Sequence, residues 1–267
     1  MDAQGRTLVR WPLLILFLII SSFCTNSSLI SATSSSDKVT LELYYESLCP
    51  YCSNLIVNYL YKIFDTDIID ITDLKLIPYG NAKIRPPNST IVCQHGEYEC
   101  LLNTIEACAI NVWPDVNAYF PFIYCVEKLV YEGKKTEWET CFEKLGLDQK
   151  PVSNCYASGR GKELELGYAR DTNDLRPPHT YVPWVTVNGE PLYDDYRNFL
   201  SYICKAYKGT PLPSACSGLS AADLNEKGNM NIFAPACYTR AAIKSIFSGL
   251  TSAVSSWVQG FTETAFE

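Results

Sequence analysis

This chain of 267 residues has little histidine, little charge and no second Cys-x-x-Cys pair. His95 and His179 are its only imidazoles. Cys49-Pro50-Tyr51-Cys52 is therefore one half of a zinc-site pattern without the other half, which argues against a structural metal centre. Charged residues make up 19% and hydrophobic residues 47%, a composition that excludes a disordered acidic chain and allows a sizeable core. Basic residues are outnumbered, for a formal net charge of -7, so nucleic acid is not the expected partner: phosphate backbones would be repelled. No internal repeat is visible. Apolar residues from Trp11 to Ile20 form a run too short to span a bilayer with ease.

What is present points to the secretory pathway. Arg6 and Arg10 precede that apolar run, and small residues follow it, so residues 1–32 are expected to be a signal peptide with a flexible lead-in. A retained signal anchor is the alternative. Twelve cysteines in such a chain imply disulfides. Cys24 goes with the leader or sits beside the cut. Eleven cysteines remain, an odd number, so at least one thiol is expected to be free or to pair outside the chain. Asn88-Ser89-Thr90, beside Arg85-Pro86-Pro87, is a glycosylation sequon expected on a surface loop, and Asn26-Ser27-Ser28 is a second that leader removal could take away.

Period-two alternation from Val39 to Tyr45 predicts a strand. Leu55, Ile56, Tyr59, Leu60, Ile63 and Phe64 then recur at helical spacing. Cys49 to Cys52 thus falls at a strand-to-helix junction, with Pro50 in the first turn, where a missing N–H costs nothing. Leu74 to Pro78 is a second strand, which suggests a parallel βαβ unit. Tyr79 to Thr90 reads as loop. A helical, cysteine-rich insertion is expected over about 91–170, with one helix opened by Pro151. Trp184 to Val187 is a strand, Asn188-Gly189 a hairpin turn and Glu190-Pro191-Leu192 a short edge strand. Asp194 or Asp195 is expected to cap a last helix. The fold class is α/β, thioredoxin-like, over 38–216. Residues 217–267 form a tail in which Ile243, Ile246, Phe247 and Leu250 lie at helical spacing. With only Arg240 and Lys244 as cations, a docked or loosely ordered helix is favoured over a membrane-surface helix.

The chemistry-bearing residues are Cys49 and Cys52. A thiolate, not a thiol, attacks a disulfide, and a helix N-terminus favours the anion. Cys49 is expected to be the more exposed cysteine and the nucleophile, and Cys52, one turn on, the resolving thiol. A structural disulfide across this short loop is the bland alternative. Tyr181, Val182 and Pro183 head the Trp184 strand and are the expected substrate-binding edge, where a cis-proline loop could pair with an extended chain.

The run Cys93-Gln94-His95-Gly96-Glu97-Tyr98-Glu99-Cys100, continuing to Asn103 and Cys108, carries a more specific message. It resembles the Cys-Gln-His-Gly-x-x-Glu-Cys-x-x-Asn-x-x-x-x-Cys signature of the gamma-interferon-inducible lysosomal thiol reductase family, matching at every fixed position. The resemblance covers roughly Lys38 to Cys216. It implies a soluble glycoprotein that reduces protein disulfides, often in an acidic compartment, with Cys49 and Cys52 as the active pair. Disulfide-bonded proteins and a small thiol or dithiol reductant are the implied partners, and no cofactor or metal is expected. The site of action would be extracellular, lysosomal or vacuolar. His95 is either a residue that tunes a thiolate or lines the substrate groove, or a structural histidine. Cys93, Cys100 and Cys108 are expected to pin the insertion to the core, with connectivity unreadable from spacing. An oxidase or isomerase on the same fold, and a non-enzymatic disulfide-rich binding protein, are the competing functions.

Overall fold

The computed structural model describes residues 38–218 and 236–248. The expected leader, Cys24, the Asn26 sequon and most of the tail lie outside these residues. Strand β1 (Val39–Tyr45) leads into helix α1 (Pro50–Asn58), two short 3-10 turns and strand β2 (Thr72–Pro78). β1 and β2 pair in parallel, with Leu41 opposite Leu74 and Leu43 opposite Leu76. Later, β6 (Trp184–Val187) runs antiparallel along the other side of β1, and β7 (Glu190–Pro191) closes the sheet in the order β2-β1-β6-β7. Helix α7 (Phe199–Ala206) follows. A βαβ unit joined through one central strand to a ββα unit is the thioredoxin-like arrangement. Alternation along β1 explains its central place. Leu41, Leu43 and Tyr45 enter the main core, whereas Tyr44 packs on the opposite face with Ile77, Tyr181 and Trp184.

Between the two halves lies the expected helical insertion, built of five helices: α2 (Glu97–Val112), α3 (Val116–Tyr131), α4 (Thr140–Leu145), α5 (Lys150–Ala157), which has Pro151 in its first turn, and α6 (Arg160–Asn173). Gly159, at φ +84°, breaks α5 from α6. The Tyr79 to Thr90 stretch is not all loop. Lys83–Arg85 (β3) and Thr90–Val92 (β4) form a hairpin around Pro86-Pro87, too short for periodicity to register. Nor do Asp194 and Asp195 cap α7. They lie in a 3-10 turn, and Asn198 precedes the helix.

Disulfides tie insertion elements to one another rather than to the sheet: Cys93–Cys100 closes the turn before α2, Cys108–Cys155 joins α2 to α5, and Cys125–Cys141 joins α3 to α4. The expectation that Cys93, Cys100 and Cys108 pin the insertion to the core is therefore corrected. That junction is made by packing and buried hydrogen bonds. The Tyr119 hydroxyl donates to the Leu74 carbonyl at 3.2 Å, and the Tyr45 hydroxyl donates to Glu106 Oε2 at 2.6 Å. Within the insertion, Phe122, Phe142 and Trp113 stack around one point, with Phe122 and Phe142 ring centroids 4.7 Å apart.

α2 and α6 approach closely at Gly161, where a Cβ would meet the Thr104 methyl and lie 3.0 Å from Cys108 Sγ. Gly161→Ala would gain helix propensity of up to about 1 kcal/mol, but overpacking costs about 1–3 kcal/mol. The clash wins, and a lower urea midpoint with an unchanged slope is the expected result.

Candidate active site

β1 ends at Tyr45, and the chain turns through Glu46, Ser47 and Leu48 into α1. Cys49 is the residue at the helix cap, in extended conformation, and Pro50 follows in the first turn. The Cys49 carbonyl accepts from the Cys52 and Ser53 amides at 3.0 and 3.1 Å, which starts the helix and stacks Cys52 one turn below Cys49. The expected motif geometry is present.

The expected exposure is not. Cys49 and Cys52 both have 0% of their surface accessible. Cys49 is bonded to Cys237, with the Cα atoms 6.2 Å apart, and among the described residues Cys52 is the one free thiol. The cover is strand β8 (Cys237–Tyr238), which reaches the site from the C-terminal segment. Burial, and next the charge of Glu46, push the Cys52 thiol well above its ordinary range, against a hydrogen bond from the Glu46 backbone.

Tyr181 and Val182 form strand β5, and the Val182–Pro183 peptide is cis. The Val182 carbonyl oxygen lies 3.8 Å from Cys49 Sγ, so the expected substrate edge adjoins the expected nucleophile. β8 occupies that edge: Val182 stands opposite Cys237 and Tyr181 opposite Tyr238.

The signature run packs around the turn that carries Cys49. Asn103 Oδ1 accepts from the Ser47 amide at 2.9 Å, and the Ser47 hydroxyl donates to the Glu99 carbonyl at 3.3 Å. Gly96, at φ +93°, makes the bend that only glycine adopts readily and folds His95 back on Glu99. His95 Nδ1 lies 2.5 Å from Glu99 Oε2 and 3.4 Å from Glu46 Oε1, while Nε2 lies 3.9 Å from Cys237 Sγ. The Glu99 hydrogen bond raises the affinity of His95 for its proton. Burial, then the neighbouring Glu99 charge, push the Glu46 carboxyl up to about 8. Gln94 Oε1 accepts from Asn81 Nδ2 at 2.5 Å. Glu46, His95 and Cys237 offer ligand atoms within 4.8 Å of one another, but the sulfur is bonded to Cys49 and Nδ1 lies against Glu99.

Sequence reasoning missed Glu46, Asn81 and Cys237 as site residues. The odd cysteine count was the one signal for Cys237. Asn88 is exposed in the β3–β4 turn, where a glycan would meet solvent. A cleft lined by Tyr44, Ile77 and Tyr168 contains neither Cys49 nor Cys52. Thiol exchange on a protein needs an accessible strand edge more than a deep cavity.

The sequence profile described as gamma interferon inducible lysosomal thiol reductase matches residues 40–145. The gamma-interferon-responsive lysosomal thiol protein of Arabidopsis thaliana is 50% identical over 186 residues, covering 68% of this chain and 77% of that one. The gamma-interferon-inducible lysosomal thiol reductase of Mus musculus is 38% identical, covering 69% of this chain and 74% of its own. Chlamydia trachomatis DsbA aligns in structure with a TM-score of 0.47 and 14% identity, covering 64% of this chain and 86% of that one. With half its aligned residues shared with one relative over most of that relative's length, this chain belongs to the gamma-interferon-inducible lysosomal thiol reductase family.

Proposed function

We propose that this protein reduces disulfide bonds of protein substrates with Cys49 as nucleophile and Cys52 as resolving thiol. The observation that carries the reading is the placement of Cys49 at the N-terminus of α1, one turn above Cys52 and beside the Val182–Pro183 edge. The Cys49 thiolate attacks one substrate sulfur, a mixed disulfide forms, and the other substrate sulfur leaves as a thiol. Cys52 then attacks Cys49, the second substrate thiol departs, and a small dithiol reduces the Cys49–Cys52 bond. Electrons pass from the dithiol to the substrate, and no cofactor is needed.

The compartment we propose is an acidic, lysosome- or vacuole-like one reached through the secretory pathway, with glycosylation at Asn88. Exposure of Asn88 and a framework of disulfides support this. Among the described residues no helix is long and apolar enough to cross a membrane. Reduction of a disulfide-bonded test protein by the purified chain with a small dithiol, at about pH 5 and about pH 7, tests the reading, since an unperturbed thiol is hardly ionised in acid. Turnover in acid well above the dithiol background is expected. Background rates at both pH values, from folded protein, would defeat it.

A further inference from the structure

β8 does at this site what an extended substrate would do. It pairs antiparallel with β5, and the Thr239 amide donates to the Thr180 carbonyl at 2.9 Å. Two side-chain amides complete its backbone pairing from the opposite side. Asn81 Nδ2 donates to the Cys237 carbonyl at 2.8 Å and Gln94 Nε2 to the Tyr238 carbonyl at 3.2 Å. These contacts read main chain, so a segment of any sequence could use them. Side chains are read at Cys237 and Tyr238. The Cys237 sulfur meets Cys49 and faces His95 Nε2, and the Tyr238 ring stands edge-on to Tyr181, centroids 5.5 Å apart, next to Trp184.

We propose that β8 is an internal stand-in for the substrate: the Cys49–Cys237 bridge is the intramolecular counterpart of the enzyme–substrate mixed disulfide, and Asn81, Gln94 and His95 receive a substrate's backbone and its departing sulfur. The inference rests on the reductase reading and deepens it. The substrate class that fits is a locally unfolded segment with a cysteine followed by an aromatic or apolar residue, because pairing with β5 requires an extended chain with free backbone groups. A cysteine inside an intact helix is refused.

The chemistry balances without an outside oxidant. Cys52 sulfur attacks Cys49 Sγ, the Cys49–Cys237 bond breaks, the Cys49–Cys52 bond forms, and Cys237 Sγ leaves with the electron pair. His95 Nε2, 3.9 Å from Cys237 Sγ, gives its proton to that sulfur, and the proton that Cys52 loses restores the imidazolium, so the exchange is neutral in protons as well as electrons. In reverse, the oxidised Cys49–Cys52 enzyme closes by attack of Cys237 on Cys49. The closed form is therefore latent, and the dithiol that drives turnover also opens it.

The test uses the full chain. Non-reducing peptide mapping of the oxidised protein is expected to find Cys49 linked to Cys237. Cys237→Ser is expected to lower KM for an unfolded disulfide-bonded protein by about tenfold, because a tethered competitor at millimolar effective concentration is gone. Gln94→Ala is expected to raise that KM by about two- to tenfold, the range for one lost hydrogen bond, while a small disulfide without peptide groups is affected less. His95→Asn is expected to slow kcat most for departing thiols of high pKa. A map that shows Cys49–Cys52 with Cys237 unlinked, in an active enzyme, overturns the inference and leaves the reductase reading standing. Wild-type KM in Cys237→Ser does the same. A Cys49–Cys237 link in a protein that reduces nothing, with or without Cys237, makes the bridge a structural staple and removes both. Should Cys237→Ser fail to fold, the wild-type map still decides.

Discussion

Cys49→Ser is expected to stop protein-disulfide reduction, with a loss on the order of a thousandfold or more, and Cys52→Ser is expected to stop turnover just as completely. The two failures should look different. Without Cys49 no sulfur at the helix N-terminus can attack, so substrate is recovered untouched. Without Cys52 the attack still occurs, and the mixed disulfide has no neighbour to resolve it. Cys52→Ser should therefore accumulate a covalent adduct with substrate, visible on non-reducing gels and absent from the double variant. The rate losses should not add, because both residues serve one reaction sequence. The burial of Cys52 supports this division of roles. A thiol with no accessible surface and a raised pKa reacts poorly with anything outside the protein but well with a sulfur one helical turn away. Adduct accumulation in Cys49→Ser instead would reverse the assignment.

Thermal stability should be greater at about pH 5 than at about pH 8, by about 5–10 °C, if the net difference is a few kcal/mol. Glu46, Glu106, Glu127 and Glu165 all lie buried. Desolvation first, and for Glu46 and Glu127 a neighbouring carboxylate next, raise their affinity for protons. Glu46 is pushed up to about 8 and Glu165 to about 7. Glu106, raised by the same burial, faces Glu127 and accepts from the Tyr45 hydroxyl. For an acid whose pKa is higher folded than unfolded, the folded state binds more protons, so the stabilisation is full below the ordinary carboxyl value and is lost as the pH rises through the folded one. The window of loss is therefore from about 4.5 to about 8 for Glu46. His179 works the other way: burial pushes it down to about 4, so its contribution is present above the ordinary histidine value and is lost in acid. Four carboxyls outweigh one imidazole. Melting curves of the oxidised protein across this range are the measurement, and Glu127→Gln should flatten the profile. A melting temperature that rises from pH 5 to pH 8 would contradict the account. This carboxyl cluster also gives a physical reason for the fold to suit an acidic compartment.

The local elements of the site were legible because each is announced by nearby residues. Alternation from Val39 to Tyr45, a proline after the first cysteine and helical spacing after the second place Cys49 at a strand-to-helix junction. Asn188-Gly189 marks the β6–β7 hairpin, where both residues adopt positive φ. The Cys93 to Cys108 signature marks the family, and its residues prove to be the packing and hydrogen-bonding frame of the Cys49 turn. The geometric role of that frame was not legible. His95, Glu99 and Asn103 act on Glu46 and Ser47, roughly fifty residues earlier, and periodicity does not carry information over that separation.

By itself, the sequence determined the thioredoxin-like class, the placement of the Cys49 to Cys52 motif at a helix N-terminus, the helical and cysteine-rich insertion, and the family. These follow from short-range patterns, since the hydrophobic period, turn chemistry and motif spacing are read within one element or its neighbour. Tertiary structure alone decided which cysteines meet. Cys237 lies 188 residues from Cys49, and only the pairing of β8 with β5 brings the two sulfurs together. It also decided that the Cys49 and Cys52 sulfurs are covered and that His95 stands between two carboxyls and a sulfur. Disulfide partners are chosen by where backbones approach within bonding distance, and that is a property of the packed chain rather than of any stretch of it.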